Sequence, residues 1–303
     1  MIIIGEGWEE LAAALSQADA RERIYVIGST NSGKTTLCCY LVDKTAAHMR
    51  AAYVDCDTGQ STVGPPTTEG MVLYPLPPGL PGRPHLRFVG STSPGGHFLQ
   101  TLTGAKRLVE KAAELGADAT IIDSPGLVFG GVGIEFQVQM VDLLRPTRLV
   151  ALQHGRELEP LLANFDRHPA ITIHRVPVSP AAVTRTATER RRYREERFAA
   201  YFAEALPREV PLRGLGLQGR VPDLKNPHGA RRRLVSLNDH DNFSLALGIA
   251  AEVHTRRRLL TVVAPPFDPA AVASIRFGSL NLDLDAEPGS MESHAGKSER
   301  KRT

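Results

Sequence analysis

The chain opens on apolar positions three and four apart, Trp8, Leu11, Ala12 and Leu15, which predicts a short amphipathic helix near Trp8 to Leu15. An unbroken apolar, β-branched run follows, RIYVIG at residues 23–28, and reads as a buried strand ended by glycine. Helical spacing returns from Lys34 to about His48, and AAYVDCD at 51–57 reads as a second strand. Pro and Gly punctuate residues 64–84 and predict loop there. HLRFVG at 85–90 predicts a third strand and 99–115 a long helix. Further strands are expected at 119–123, at 148–153 and around 174–179. Strands alternating with helices predict a mostly parallel sheet with helices on both faces. In such sheets ligands bind at the carboxyl ends of the strands.

The second half changes character. Residues 181–206 carry a helical and very basic pattern, whereas 214–284 break into short β-like runs such as RRLLTVVAP and SIRFGSLNLDLD. Residues 286–303 lack a run of apolar residues and are expected to be a disordered tail. The expected organisation is therefore an extension at 1–22 and an α/β domain at 23–206 that includes an arginine lid at about 185–202. A small β-rich domain at 207–285 and the tail complete it.

Composition narrows the class. Over 303 residues the apolar content is 42%, enough for a sizeable core. No apolar run approaches the ~20 residues that span a bilayer, so no membrane contact is expected. The first residues turn acidic at once, unlike a secretory signal, and cytoplasmic residence is the expectation. The three cysteines, Cys38, Cys39 and Cys56, form no C-x-x-C pair and do not point to zinc. Net charge is only +3, but residues 185–197 hold six arginines against three acids.

Candidate chemistry gathers at the predicted strand ends. Gly28, Ser29, Thr30, Asn31, Ser32, Gly33, Lys34 and Thr35 fit G-x-x-x-x-G-K-[ST], with a strand before and a helix carrying Thr36 after. Backbone N–H groups of such a loop face phosphate oxygens, Lys34 supplies a point charge, and the Thr35 hydroxyl is placed for Mg²⁺. Asp55 and Asp57 share a strand face; Asp57 can take a proton from an attacking hydroxyl or hold the metal's water, or simply close an Asx-turn. Gln60 can reach metal or phosphate. Asp123 ends the next strand, where a second acid facing Mg²⁺ is expected. Asp123-Ser124-Pro125-Gly126 also has the D-x-x-G form of GTP-hydrolysing switches, although no N-K-x-D segment follows. In the basic helix Arg190, Arg194 and Arg197 lie i, i+4, i+7 apart on one face, either as a lid that steadies a transferring phosphoryl group or as a solvated, salt-bridged surface.

The cradle, DCDTGQ, FVGSTSP, IIDSPGLVFG and RRRYREERFAAYF occur in the order found in polynucleotide 5′-hydroxyl kinases, the P-loop RNA/DNA kinases related to the pre-mRNA cleavage-factor kinase subunit and to the ribosomal-RNA-processing kinases. The resemblance spans about Ile24 to Phe202 and, more loosely, extends to about Asp285. It implies ATP, with other nucleoside triphosphates left open, and Mg²⁺. It implies transfer of the γ-phosphate to the 5′-hydroxyl of single-stranded RNA or DNA. Lys34 and Thr35 would bind ATP·Mg²⁺, Asp57 would act as general base, and Gln60 would lie near metal or phosphate. Thr92 and Ser93 would approach the substrate, Gly126, Leu127 and Phe129 would form a substrate clasp, and Arg190 and Arg194 the lid, with Arg197 beside them. Leu127 stands where eukaryotic members carry a stacking tryptophan, leaving Phe129 as the ring available there. The sizeable N-terminal domain of those members has no counterpart in about twenty residues, so partner binding through such a domain is not expected and the chain looks like a stripped prokaryotic member, its protein partners left open. A nucleic-acid path is expected along Arg190 to Arg197, Arg213, Arg220, Lys225 and Arg231–Arg233, although the Arg231–Arg233 run by itself reads first as a solvated strand edge whose charge deters aggregation. A GTPase or ATPase switch, and a non-catalytic ATP-binding scaffold for RNA processing, are the alternatives.

Overall fold

The computed structural model describes residues 3–16, 21–75, 83–223, 227–286 and 289–294. They fall into two units. The first comprises residues 1–64, 69–85 and 94–185, and the second 65–68, 86–93 and 186–303.

The first unit is built on β1 (Glu22–Gly28), β2 (Ala51–Asp55), β3 (Thr68–Tyr74), β5 (Ala119–Asp123), β6 (Arg148–Gln153) and β7 (Thr172–Pro177); the short β4 (His85–Phe88) follows β3 in the chain and, after His85, falls in the second unit. Their order is β3-β2-β5-β1-β6-β7. β1 pairs in parallel with β5 and β6, β2 with β5, and β6 with β7. β3 alone among these runs antiparallel, against β2. Burial explains the continuous apolar runs: every residue of β2 and of β5 is buried, as two-sided covering of a parallel sheet requires. The helices are α1 (Trp8–Ser16), α2 (Lys34–Ala46), α3 (Phe98–Glu114), α4 (Gly130–Leu144) and the short α5 (Glu159–Leu162). Helix α1 docks on α2 through Trp8, 2% exposed, whose ring lies 5.5 Å from that of Tyr40. Register puts Val26 and Asp55 each opposite Asp123, and Gly28 opposite Leu152. The strand tips that carry the phosphate loop and the acids therefore stand side by side.

Strand β3 falls where the Pro/Gly pattern predicts loop. Its sequence, TEGMVLY, carries a glutamate and a glycine in the middle of the pattern, yet Thr68 to Met71 are all buried. Pairing with β2 supplies the backbone partners that the local pattern does not reveal.

The second unit holds α6 (Ala187–Tyr201), β8 (Leu206–Pro211), β9 (Gly216–Gly219), β10 (Arg233–Asn238), β11 (Ser244–His254), β12 (Leu259–Ala264), β13 (Ser274–Leu282) and β14 (Glu292–His294). Their sheet runs β14-β13-β10-β11-β12-β8, with β9 added in parallel to β13. One cluster, with Val235, Leu260, Val262 and Ile275, fills one side. Phe198 and Phe202 of the helical segment join Phe88, Leu234, Leu247 and Leu280 in another. The arginine helix thus belongs with the β-rich unit, not with the α/β unit where the sequence pattern puts it, because its aromatic face finds its apolar partners there. The tail differs from expectation as well. Within 286–303, residues Glu292–His294 form β14 on β13; 287–288 and 295–303 lie outside the described residues.

Candidate active site

The phosphate loop is shaped by two residues with left-handed backbone, Asn31 at φ 68° and Gly33 at φ 90°; the second is the cap of α2, where glycine avoids the steric cost of a side chain. Lys34 is buried, and its Nζ donates to the Gly28 and Ser29 carbonyls, 3.0 Å each. The ammonium is thereby folded back across the loop that it serves. Gly28, Ser29, Thr30, Asn31, Ser32, Gly33, Thr35 and Thr36 complete one continuous strand–loop–helix.

Three carboxylates end the neighbouring strands. The Thr35 hydroxyl donates to Asp123 Oδ2 at 2.5 Å and the Tyr53 hydroxyl to the same oxygen at 3.2 Å. Asp123 Oδ1 is buried without a hydrogen-bond partner among the described residues. Burial lifts the Asp123 carboxyl to about 6 against the lowering pull of Lys34 and Thr35. Asp55 accepts from Thr62 N at 2.6 Å, Thr62 Oγ1 at 2.9 Å, Val63 N at 3.1 Å and Asp57 N at 3.0 Å. Burial, then the charges of Asp123 and Asp57, lift its carboxyl to about 7. Asp55 is thus a structural anchor for the loop that presents Asp57. Asp57 Oδ1 closes the Asx-turn onto Gly59 N, 2.9 Å, and Gln60 N, 3.0 Å. Its Oδ2 accepts no hydrogen bond among the described residues. The turn reading and a proton-accepting role therefore use different oxygens.

The donor set fits Mg²⁺. No cluster of three or more His, Cys, Asp or Glu side chains stands ready for a metal among the described residues. Mg²⁺ is held by one or two protein oxygens together with water and phosphate. The orphaned Oδ1 of Asp123, beside the Thr35 hydroxyl, matches that pattern.

The segment after Asp123 packs on the phosphate loop. A Cβ at Gly126 would lie 2.5 Å from Thr30 Oγ1 and 2.9 Å from Thr30 N, so only glycine allows this approach. Gln137 of α4 holds the segment from behind: its Nε2 donates to the Pro125 and Leu127 carbonyls, 3.0 Å each, and its Oε1 accepts from Tyr25 OH at 2.7 Å. Leu127 is half-buried. Phe129, at the cap of α4, is 56% exposed and presents a ring.

Two contacts bring in a residue outside the expected lid pair. Arg185 Nη1 donates to Gln60 Oε1 at 3.1 Å, and Asn31 Nδ2 donates to the Arg185 carbonyl at 3.4 Å. Arg185 thus touches both the phosphate loop and the DCDTGQ loop. Its signal in the sequence was only its place at the head of the arginine run. Tyr53 and Gln137 left no signal beyond helical and strand spacing.

Thr92 and Ser93 fall in the second unit, as do Arg190, Arg194 and Arg197. Ser93 N donates to Ser91 Oγ at 3.3 Å. Helix α6 begins in a capping box formed by Thr186 and Glu189. Arg194 is paired in this structure: Nε and Nη2 both bond Glu292 of β14, at 2.9–3.1 Å, and Arg191 Nη2 donates to the Glu292 carbonyl at 3.1 Å. The guanidinium is already neutralised within its own unit.

A parallel sheet with this loop, helix and pair of strand-end acids defines a P-loop nucleotide-binding protein. The family model of the mRNA cleavage and polyadenylation factor CLP1 P-loop matches residues 28–204, and the chain belongs to that family. Among its relatives, the polyribonucleotide 5′-hydroxyl-kinase of Pyrococcus abyssi is 26% identical over 88% of this chain and 89% of its own. That of Methanocaldococcus jannaschii is 25% identical over 92% of each. The solved structure of the wild-type Clp1p–Pcf11p complex aligns at a TM-score of 0.70 and 14% identity, covering 90% of this chain and 78% of that one. The P-loop α/β fold with an added β-rich part is therefore shared. No helix among the described residues is long and apolar enough to cross a membrane.

Proposed function

We propose that this protein is an ATP-dependent polyribonucleotide 5′-hydroxyl kinase. The observation that carries the reading is similarity along almost the whole chain to archaeal relatives that bear that name, joined to an intact cradle and an Asp57 oxygen that accepts no hydrogen bond among the described residues. Lys34 and the loop N–H groups hold the β- and γ-phosphates of ATP. Thr35 and Asp123 would hold Mg²⁺, and Asp57 and Gln60 would serve as further oxygen donors toward it. A Mg²⁺ ion bound there would offset the charge of the phosphates.

Asp57 takes the proton of the 5′-hydroxyl as the new bond joins that oxygen to the γ-phosphorus and the bond to the β–γ bridging oxygen breaks. Arg185, placed on Gln60, supports the charge on the transferring group. Leu127 and Phe129 hold the first nucleotide, the exposed Phe129 ring stacking on its base. RNA is the polymer that the names of the relatives point to. A GTPase reading lacks a guanine-reading segment, and a pure scaffold has no use for the Asp57–Gln60 arrangement.

The test is incubation with γ-labelled ATP and a 5′-hydroxyl oligoribonucleotide. Label on the oligonucleotide, abolished in Lys34→Ala and strongly reduced in Asp57→Asn, supports the kinase. Free phosphate alone would refute it.

A further inference from the structure

The fold gathers arginines that are far apart in the chain at one end of the second unit's sheet. The β11–β12 hairpin turns through Arg256, Arg257 and Arg258, all exposed. The Leu212 N–H donates to the Arg258 carbonyl at 2.8 Å, which sets Arg213 directly after that contact. Arg232 N–H donates to the Ala250 carbonyl at 2.8 Å, so the Arg231–Arg232 pair enters alongside the same part of β11. Arg231 and Arg232 also line a cavity of about 800 Å³ with Glu252, Val253 and Thr261. Six arginines from three segments thus share this end.

The nearby acids offset only part of this charge. Glu209 binds Arg257 through two hydrogen bonds, 3.0 and 3.1 Å, and Asp283 binds Arg232 at 2.9 Å. Glu252 faces His254 at 3.3 Å. Asp285 is the fourth acid at this end. Arg213, Arg231, Arg256 and Arg258 have no side-chain partner among the described residues. Arg232 and Arg258 moreover occupy left-handed backbone, φ 67° and 52°, where glycine or asparagine is the easier residue. A long cation kept at a strained turn points to work done by its side chain.

We infer that this end of the β-rich unit is a docking surface for the phosphodiester backbone of a single-stranded polynucleotide. Guanidiniums fit phosphate oxygens in a fork geometry and give binding that follows the strand without reading its bases. The inference rests on the kinase reading for the identity of the polymer, but its test does not require turnover.

The experiment compares the whole protein with an Arg256→Gln/Arg258→Asn variant. Anisotropy of a labelled 20-nucleotide 5′-hydroxyl RNA is read across a potassium chloride series, and phosphorylation of a dinucleotide is measured in parallel. Asparagine at 258 suits the backbone there, and an unchanged melting temperature confirms folding. The variant is expected to bind the 20-mer several-fold more weakly. Its log–log salt slope should fall by about 1.4, since each lost contact to a single strand removes about 0.7. Dinucleotide phosphorylation should be unchanged. Equal affinity and slope in the two proteins would overturn the surface, even if both phosphorylate RNA. If the wild type binds the 20-mer through these arginines yet transfers no phosphate, the surface stands and the kinase reading falls.

Discussion

Arg194 and Glu292, 98 residues apart, form a two-pronged ion pair: Arg194 Nε lies 2.9 Å from Glu292 Oε1, and Nη2 lies 3.0 Å from Oε2. The side chains are 17% and 8% exposed. Gly289 N donates to Glu195 Oε2 at 2.8 Å, so a second bond ties the same helix to the C-terminal segment. A largely buried pair of this kind is costly to break from one side, because the remaining charge keeps its desolvation without its partner. Glu292→Gln and Arg194→Gln should each destabilise the protein by about 2–3 kcal/mol. The double variant should lose less than the sum of the two. Chemical denaturation of the three variants checks this. Additive losses would mean that the pair contributes little.

The contact between Gly126 and Thr30 predicts a specific defect. Gly126→Ala places a methyl group 2.5 Å from Thr30 Oγ1, and the neighbouring backbone nitrogen at 2.9 Å leaves no room for it. The phosphate loop must shift, and nucleotide affinity should drop at least about tenfold, or about 1.4 kcal/mol. Calorimetric titration with ATP·Mg²⁺ measures it; unchanged affinity would show that the loop tolerates displacement.

The buried carboxylates predict how stability depends on pH. The Asp55 carboxyl titrates near 7 in the folded protein, raised by burial and by Asp123 and Asp57, against about 3.9 unfolded. The folded state therefore binds the extra proton, and this group's contribution to stability falls as pH rises from about 4 to about 7. His174, lowered by burial and by Arg148, acts in the opposite sense near neutrality. Comparison of wild type with Asp55→Asn cancels it. Urea denaturation of the nucleotide-free proteins should show a flatter pH profile for the variant across that window. A parallel profile would assign the proton elsewhere.

Phe129 is exposed at the cap of α4, where an apolar ring gains little from the core. Phe129→Ala should leave the melting temperature within about 1 °C, since a surface change of this kind costs little stability. It should raise KM for a 5′-hydroxyl RNA roughly tenfold, within the range expected for one lost base stack. A loss of stability with KM unchanged would make the ring a packing residue.

Much of the fold was legible because it was local. The runs at 119–123 and 148–153 coincide with β5 and β6, and the phosphate loop declared itself through its glycines and its Lys-Thr pair. What stayed hidden depended on distant partners. β3 has a glutamate and a glycine in its middle and is completed by β2. β14 has no apolar run and is held by β13 and by Arg194, so composition alone reads it as tail. Arg185 is one of six arginines in thirteen residues, and its contact with Gln60 crosses 125 residues of chain. The spacing of Arg190, Arg194 and Arg197 described one helical face without revealing that Glu292 covers Arg194. Lys225 of the expected nucleic-acid path lies outside the described residues.

The most direct measurement follows the γ-phosphate itself. The purified protein is given γ-labelled ATP, Mg²⁺ and a saturating 5′-hydroxyl RNA, and label is counted on RNA and in free phosphate over a single time course. Transfer to RNA should exceed release to water by at least about tenfold, and Arg185→Ala should lower transfer about a thousandfold or more, the scale on which an arginine that steadies the transferring group acts. Label appearing only as free phosphate, at a rate indifferent to RNA and to Arg185, would contradict it.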